Sequence, residues 1–102
     1  MQDTTSSLVL EGAVSIYVVQ ELKARLLAGV QEHEELQLDL SQVTELDSAG
    51  LQLLYLAKRE AIRQGHALRI VAHSDVVREV IDLCNLNAWF GDPTLIPAPA
   101  GA

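Results

Sequence analysis

Three short stretches of this chain alternate apolar and polar residues, and the segments between them carry a different repeat. Leu8 and Leu10, then Leu36, Leu38 and Leu40, then Leu68 and Ile70 are each separated by one residue. That is the two-residue period of a strand with one buried face. Strands are expected over 7–12 (ended by Gly12), over 36–40 and over 67–72. Elsewhere apolar residues recur at steps of three and four, the spacing of one helical face. Val18, Val19, Leu22, Leu26 and Val30 predict a helix over 16–31, with Gly29 weakening its last turn by about 1 kcal/mol relative to alanine. Leu51, Leu54, Ala57, Ala61 and Ile62 predict a second helix, closed by Gly65 as a left-handed cap. Val76, Val77, Val80, Ile81 and Cys84 predict a third, capped by Ser74. An acidic turn (Glu32, Glu34, Glu35) precedes the second strand, and residues 41–46 read as a loop after it.

Strand and helix in three alternations mean parallel strands joined by crossovers, an α/β fold. A parallel sheet covered on both faces is apolar throughout, yet these strands are polar at every second position. Right-handed crossovers that step in one direction put successive helices on the same face. The expected architecture is therefore a small, mainly parallel sheet with helices chiefly on one face. This argues against a doubly wound nucleotide-binding fold. The 102 residues suit a single domain, expected over 1–92. The Pro- and Ala-rich tail, 93–102, is expected to fray or lie loosely on the surface.

Composition excludes several functions. Fourteen acids against seven bases, a formal charge of −7, argue against a nucleic-acid partner. The single cysteine, Cys84, is incompatible with a disulfide framework or a cysteine-rich zinc site and points to the reducing cytoplasm. The apolar run 13–19 is broken by Ser15 and Tyr17 and follows Asp3 and Glu11, so it reads as neither a membrane span nor a secretory signal. No phosphate loop or dinucleotide glycine fingerprint appears, and no cofactor is implied. His33, His66 and His73 lie in or near turns without the close pairing of a metal site, and read as surface residues. A triad of Ser48, a histidine and Asp39 lacks the nucleophile elbow, so the chain does not read as an enzyme. Cys84 reads as a small core residue, and Trp89 and Phe90 as closing the core after the third helix.

The most informative run is Leu46-Asp47-Ser48-Ala49-Gly50-Leu51, at the join of the second strand and the second helix. Carboxyl ends of parallel strands are where ligands and partners are usually met. Asp47 or Ser48 can accept a hydrogen bond from a free N–H of the first helical turn. Two readings stand: a helix cap and nothing more, or a serine hydroxyl exposed at a helix N-terminus for phosphorylation. No lysine or arginine falls between Arg25 and Lys58, a stretch that holds Glu32, Glu34, Glu35, Asp39, Glu45 and Asp47. Such a stretch is either a solvated surface or an interface for a basic partner. On the second of each pair of readings, the candidate partner-contact set is Asp39, Glu45, Asp47, Ser48, Ala49, Gly50 and Gln52, with Ser48 as the residue open to phosphorylation.

These residues resemble a known family. The run Leu36-Gln37-Leu38-Asp39-Leu40-Ser41, then Val43, then Leu46-Asp47-Ser48-Ala49-Gly50-Leu51 is similar to the STAS domain of bacterial anti-sigma-factor antagonists. Gln64-Gly65-His66-Ala67-Leu68-Arg69-Ile70, Val76-Val77-Arg78-Glu79-Val80-Ile81-Asp82-Leu83 and Asn85-Leu86 resemble that family too, so the likeness runs from about Leu8 to Phe90. The resemblance implies a small mixed sheet flanked by helices and a binding role in place of catalysis. It also implies a partner that is both an anti-sigma factor and a serine kinase of the histidine-kinase-like ATPase type. In such antagonists the unphosphorylated form binds that partner and frees the sigma factor. The kinase phosphorylates the serine directly after the aspartate, here Ser48, and a phosphatase resets the switch. Asp47, Ser48 and Gly50 match the motif position by position.

The chain differs from the family pattern in three places. Ala49 stands where the family often has serine or threonine, so no second hydroxyl is available. Gly12-Ala13-Val14-Ser15 stands where the family has Gly-Glu-Leu-Asp, so both acids are missing. An extra first strand common in the family has at most residues 1–6 available. Related STAS domains serve as an accessory subunit of a lipid-type ABC transporter, in stress-signalling assemblies and beside chemotaxis genes. The missing acids favour such a constitutive role, in which Ser48 is only a cap. Nothing in the sequence demands more than a monomer.

Overall fold

A computed structural model describes residues 5–91. The expected tail over 93–102 lies outside the described residues, as do residues 1–4. Thr5 and Ser6, counted above as room for an extra strand, belong to the first strand. Strands β1 (Thr5–Val14), β2 (Glu35–Leu46) and β3 (Ala67–His73) form a sheet in the order β1-β2-β3, parallel at both pairings. Helix α1 (Val19–Glu32) makes the first crossover and α2 (Ser48–Arg63) the second; α3 (Asp75–Leu83) and the short α4 (Asn87–Phe90) follow.

Alternation decides which face is covered. Leu10 and Val14 of β1, Leu36, Leu38 and Leu40 of β2, and Leu68 of β3 are each at most 2% exposed. They share one cluster with Leu22, Leu26 and Val30 of α1, Leu54, Ala57 and Ala61 of α2, Val77 and Ile81 of α3, and Phe90. Each fully buried leucine contributes roughly 1.5–3 kcal/mol, so this face holds the fold together. The opposite face shows exposed Ser7, Val9 and Glu11 on β1 and exposed Arg69, Val71 and His73 on β3. The helices sit on the apolar face, and among the described residues no helix covers the polar one.

The expected loop over 41–46 is strand. β2 carries two extra residues against β1, one between Asp39 and Gln42 and one between Val43 and Glu45. Each bulge lengthens the apolar spacing from two to three, giving Leu40, Val43 and Leu46, all buried. A strict period-two pattern loses the strand there, although the ladder runs on to Val14↔Leu46. Gly12 likewise does not end β1: it takes φ +74° between the two irregularities, where glycine avoids the Cβ clash, and the strand continues to Val14.

Helix ends also moved. α1 begins at Val19, leaving Ile16 and Tyr17 in the preceding turn, 62% and 92% exposed. It runs through Gly29 to Glu32, because the missing Cβ lets the helix close on β2: a methyl there would sit 3.0 Å from the Leu36 side chain. Gly65 takes φ +76° after α2, as its position predicts. Ser74 caps α3, its Oγ accepting the Val77 N–H at 3.3 Å. Three expectations are corrected. Ile62 is 54% exposed and Ala61 takes the core position. Cys84 is exposed, because α3 ends at Leu83 and Asn85 turns the chain at φ 57°. His66 is half-buried, its Nδ1 2.7 Å from the Val30 carbonyl, which ties the end of α1 to the start of β3. Phe90 closes the core, while Trp89 is half-buried and stacks on Tyr55 with centroids 4.6 Å apart.

Candidate functional site

β2 delivers the chain to Asp47, whose extended backbone (φ −94°, ψ −178°) turns it into α2. The Asp47 carboxylate serves two backbones. Its Oδ1 accepts the Gly50 N–H at 2.8 Å, the N-cap bond, and its Oδ2 accepts the Ile16 N–H at 3.0 Å. The Asp47 N–H in turn donates to the Val14 carbonyl at 3.3 Å. These donors, Gly50 first and Ile16 second, hold the carboxyl below its usual 3.8. Gly50 brings α2 onto the end of β1: a Cβ there would lie 2.1 Å from the Val14 oxygen, which no side chain tolerates. The first turn of α2 is thereby fixed to β1, β2 and the turn before α1.

Ser48 is the first residue of α2 and is exposed. It is not the cap; Asp47 is. Around it lie exposed Glu45, paired across the ladder with exposed Ala13, half-buried Ala49, and Gln52 one turn further along α2. A shallow groove of about 340 Å³ between α1 and α2 adjoins it, lined by Ile16, Val19, Lys23, Ala49, Gln52 and Leu56 among others. Sequence reasoning missed two exposed apolar residues of the turn before α1, Ile16, which lines the groove, and its neighbour Tyr17, by placing both in the helix. Their signal was that both fall outside the face set by Val18, Leu22 and Leu26.

The structure brings Glu45, Asp47, Ser48, Ala49, Gly50 and Gln52 together and leaves Asp39 apart. Asp39 lies roughly 20 Å back along β2. Its Oδ1 accepts the Ser41 hydroxyl at 2.6 Å and the Ser41 N–H at 2.9 Å, and these bonds lower its carboxyl. Gly50 is buried, so its part is to seat the turn. The acidic stretch divides, with Glu32, Glu34 and Glu35 near the start of β2 and Glu45 and Asp47 at its end. Among the described residues no group of three or more His, Cys, Asp or Glu is placed to hold a metal ion, and no helix is long and apolar enough to cross a membrane.

A small parallel sheet with helices on one face and an Asp-Ser turn at the head of the second helix is the architecture of a STAS domain. The chain belongs to the family described as Mlab, STAS domain, which matches residues 1–97. Among solved structures, an anti-sigma factor antagonist from Mycobacterium paratuberculosis is 28% identical, with a TM-score of 0.76, over 93% of this chain and 82% of that one. The anti-sigma factor antagonist SpoIIAA in its unphosphorylated form is 19% identical, with a TM-score of 0.72, over 90% and 83%. The STAS domain of a SulP transporter from Vibrio cholerae is 20% identical, with a TM-score of 0.68, over 100% and 80%. The likeness to SpoIIAA and to the SulP domain is one of fold. No curated protein sequence matches the chain significantly.

Proposed function

We propose that this protein is a cytoplasmic regulatory binding module of the anti-sigma-factor-antagonist kind, not an enzyme, switched by phosphorylation of Ser48. The observation that carries this reading is the division of labour at the turn. Asp47 supplies the cap, so the exposed Ser48 hydroxyl is spared for modification. The partner is an anti-sigma factor that is also a serine kinase of the histidine-kinase-like ATPase type. It meets Ser48, Ala49 and Gln52, with Ile16 and Tyr17 as apolar contacts and Glu45 and Asp47 as an acidic rim. Arginine or lysine on the partner suits that rim.

A phosphate on Ser48 adds about −1.5 to −2 charges. The helix N-terminus favours it by roughly 0.3–1 kcal/mol at an exposed site, while Glu45 and Asp47 oppose it. Under a docked partner the balance changes, because burying an uncompensated charge costs several kcal/mol. At about 1.4 kcal/mol per decade, that weakens binding by two decades or more without refolding anything. The test is phosphotransfer from ATP by the cognate kinase. One phosphate is expected, on Ser48, and Ser48→Ala abolishes it; phosphate on another residue overturns the assignment.

A second reading is a constitutive accessory subunit, of a lipid-type ABC transporter or of a chemotaxis or stress-signalling assembly. The observation in its favour is exposed Ala13 beside Glu45, which leaves that rim without the family's acid. Under it, Ser48→Asp leaves the complex intact; under the first reading Ser48→Asp weakens it.

A further inference from the structure

α1 and α2 are both crossovers between parallel strands, so they run the same way and begin at the same end of the sheet. The groove between them, about 340 Å³, starts at Ile16 and Ala49 beside the Ser48 turn and runs to Lys23 and Leu56. From Ala49 to Leu56 is about 10 Å, two helical turns. Its floor is apolar: Leu53 is buried, Val19 and Leu56 are half-buried, and Ile16 at the mouth is exposed. A trough between two helical ridges seats a third helix, whose side chains at i, i+3 or i+4, and i+7 fill it.

Electrostatics select the occupant. Among the described residues that line the groove, Lys23 is the one with a charge, and the other polar groups are the neutral amides of Gln20 and Gln52. Lys23 makes no ion pair among the described residues. Arg59, exposed two turns past Gln52 on the same face of α2, carries the positive charge further along. Glu60, next to it, already has Arg63 and Gln64 as partners. In a chain with fourteen acids and seven bases, this groove is a place where an incoming carboxylate is attracted.

We propose that the groove receives an amphipathic helix of the partner, carrying an apolar ridge and an acidic residue that faces Lys23. The inference deepens the binding reading of this face and rests on it, but not on modification of Ser48. It gives the partner surface two chemically distinct ends. Basic residues suit Glu45 and Asp47 at the Ser48 end, and a carboxylate about two turns away meets Lys23. A segment of a single charge sign does not satisfy both.

Two synthetic peptides of about 18 residues, five helical turns, test the occupant. They share leucines at i, i+4 and i+7 and a covalent staple on the opposite face; one flanks the leucines with glutamate, the other with lysine. Binding to the full chain is followed by fluorescence anisotropy, and the site by backbone amide shifts in NMR. The net charge of −7 on its own favours the lysine peptide. The expected order is the reverse, with the glutamate peptide bound about tenfold tighter and shifts centred on Val19, Lys23, Gln52 and Leu56. Lys23→Glu is expected to weaken the glutamate peptide about tenfold, since it replaces an attraction with a like-charge contact. Lys23 is exposed, so far-UV circular dichroism of that variant matches wild type.

Absence of binding, tighter binding of the lysine peptide, shifts outside the groove, or a Lys23→Glu variant that binds like wild type each overturn the proposal. So does a dimer of the free chain in sedimentation whose dissociation on dilution moves the same amide signals, which assigns the groove to a second copy. The titrations use unmodified protein and no kinase. Failure here is therefore read separately from failure of phosphotransfer to Ser48.

Discussion

The carboxylate of Asp47 reaches across 31 positions of sequence to accept the N–H of Ile16 at 3.0 Å, while its other oxygen holds the Gly50 N–H at 2.8 Å. One side chain thus sets the spacing between the turn bearing Ile16 and Tyr17 and the turn bearing Ser48. An asparagine keeps an oxygen for the helix cap but presents an NH₂ group where Ile16 needs an acceptor. Asp47→Asn is therefore expected to accelerate hydrogen exchange at Ile16 and leave Gly50 protected, whereas Asp47→Ala exposes both. Equal protection of Ile16 in wild type and Asp47→Asn would count against the link.

The same bonds give stability a pH dependence of definite sign. The carboxyl titrates below its ordinary 3.8 in the folded chain, chiefly through Gly50 and then Ile16. A depressed folded value means stability that is complete above the unfolded value and is lost as pH falls through the folded one. Urea midpoints measured downward from about pH 6 should therefore fall below about pH 4, and less steeply in Asp47→Asn. Glu60, pushed down from its usual 4.5 to about 2 by the Arg63 side chain first and Gln64 second, adds a loss of the same sign as pH falls across that interval. Some acid sensitivity thus survives in the Asp47→Asn variant, and Glu60→Gln reduces it further.

Gly50 is held by packing, not by its own conformation, since no positive φ is involved. A methyl at that position meets the Val14 carbonyl oxygen at 2.1 Å, and the neighbour is backbone that cannot swing aside. Gly50→Ala is expected to destabilise by roughly 1–3 kcal/mol in urea melts, the range for overpacking. Ala49→Gly, half-buried next door, serves as the control for loss of helix propensity, at about 1 kcal/mol. If Gly50→Ala proves as stable as wild type, α2 does not sit on β1 as closely as described.

Element order, one-sided burial and the Gly65 and Ser74 caps were legible in the sequence because each depends on a local period or a single residue type. The far half of β2 was not. Its two bulges stretch the apolar spacing at Val43 and Leu46 to three, and a three-residue step within a strand looks like a loop until the partner strand is known. The Asp-Ser-x-Gly turn was legible as a cap and as a family motif, but which of Asp47 and Ser48 caps was not, because both side chains can accept. Asp39 was grouped with the turn by charge alone, and extended backbone carries it away. Ile16 and Tyr17 were hidden because a turn residue adjoining a helix shares its hydrophobicity without its phase.

The identity of the cap separates the two functional readings by a stability measurement that needs no partner. If Asp47 caps α2, Ser48 contributes an exposed hydroxyl and nothing to the helix, and Ser48→Ala stays within about 0.5 kcal/mol of wild type. Ser74 provides the internal standard, because its Oγ accepts the Val77 N–H at 3.3 Å at the head of α3. Ser74→Ala is expected to cost about 1 kcal/mol, the usual loss of an N-cap serine. Thermal or urea melts of the two variants, run side by side, place Ser48→Ala with wild type and Ser74→Ala clearly below it. Should Ser48→Ala fall as far as Ser74→Ala, the hydroxyl is committed to the helix, the division of labour with Asp47 fails, and the constitutive reading gains what the switch loses.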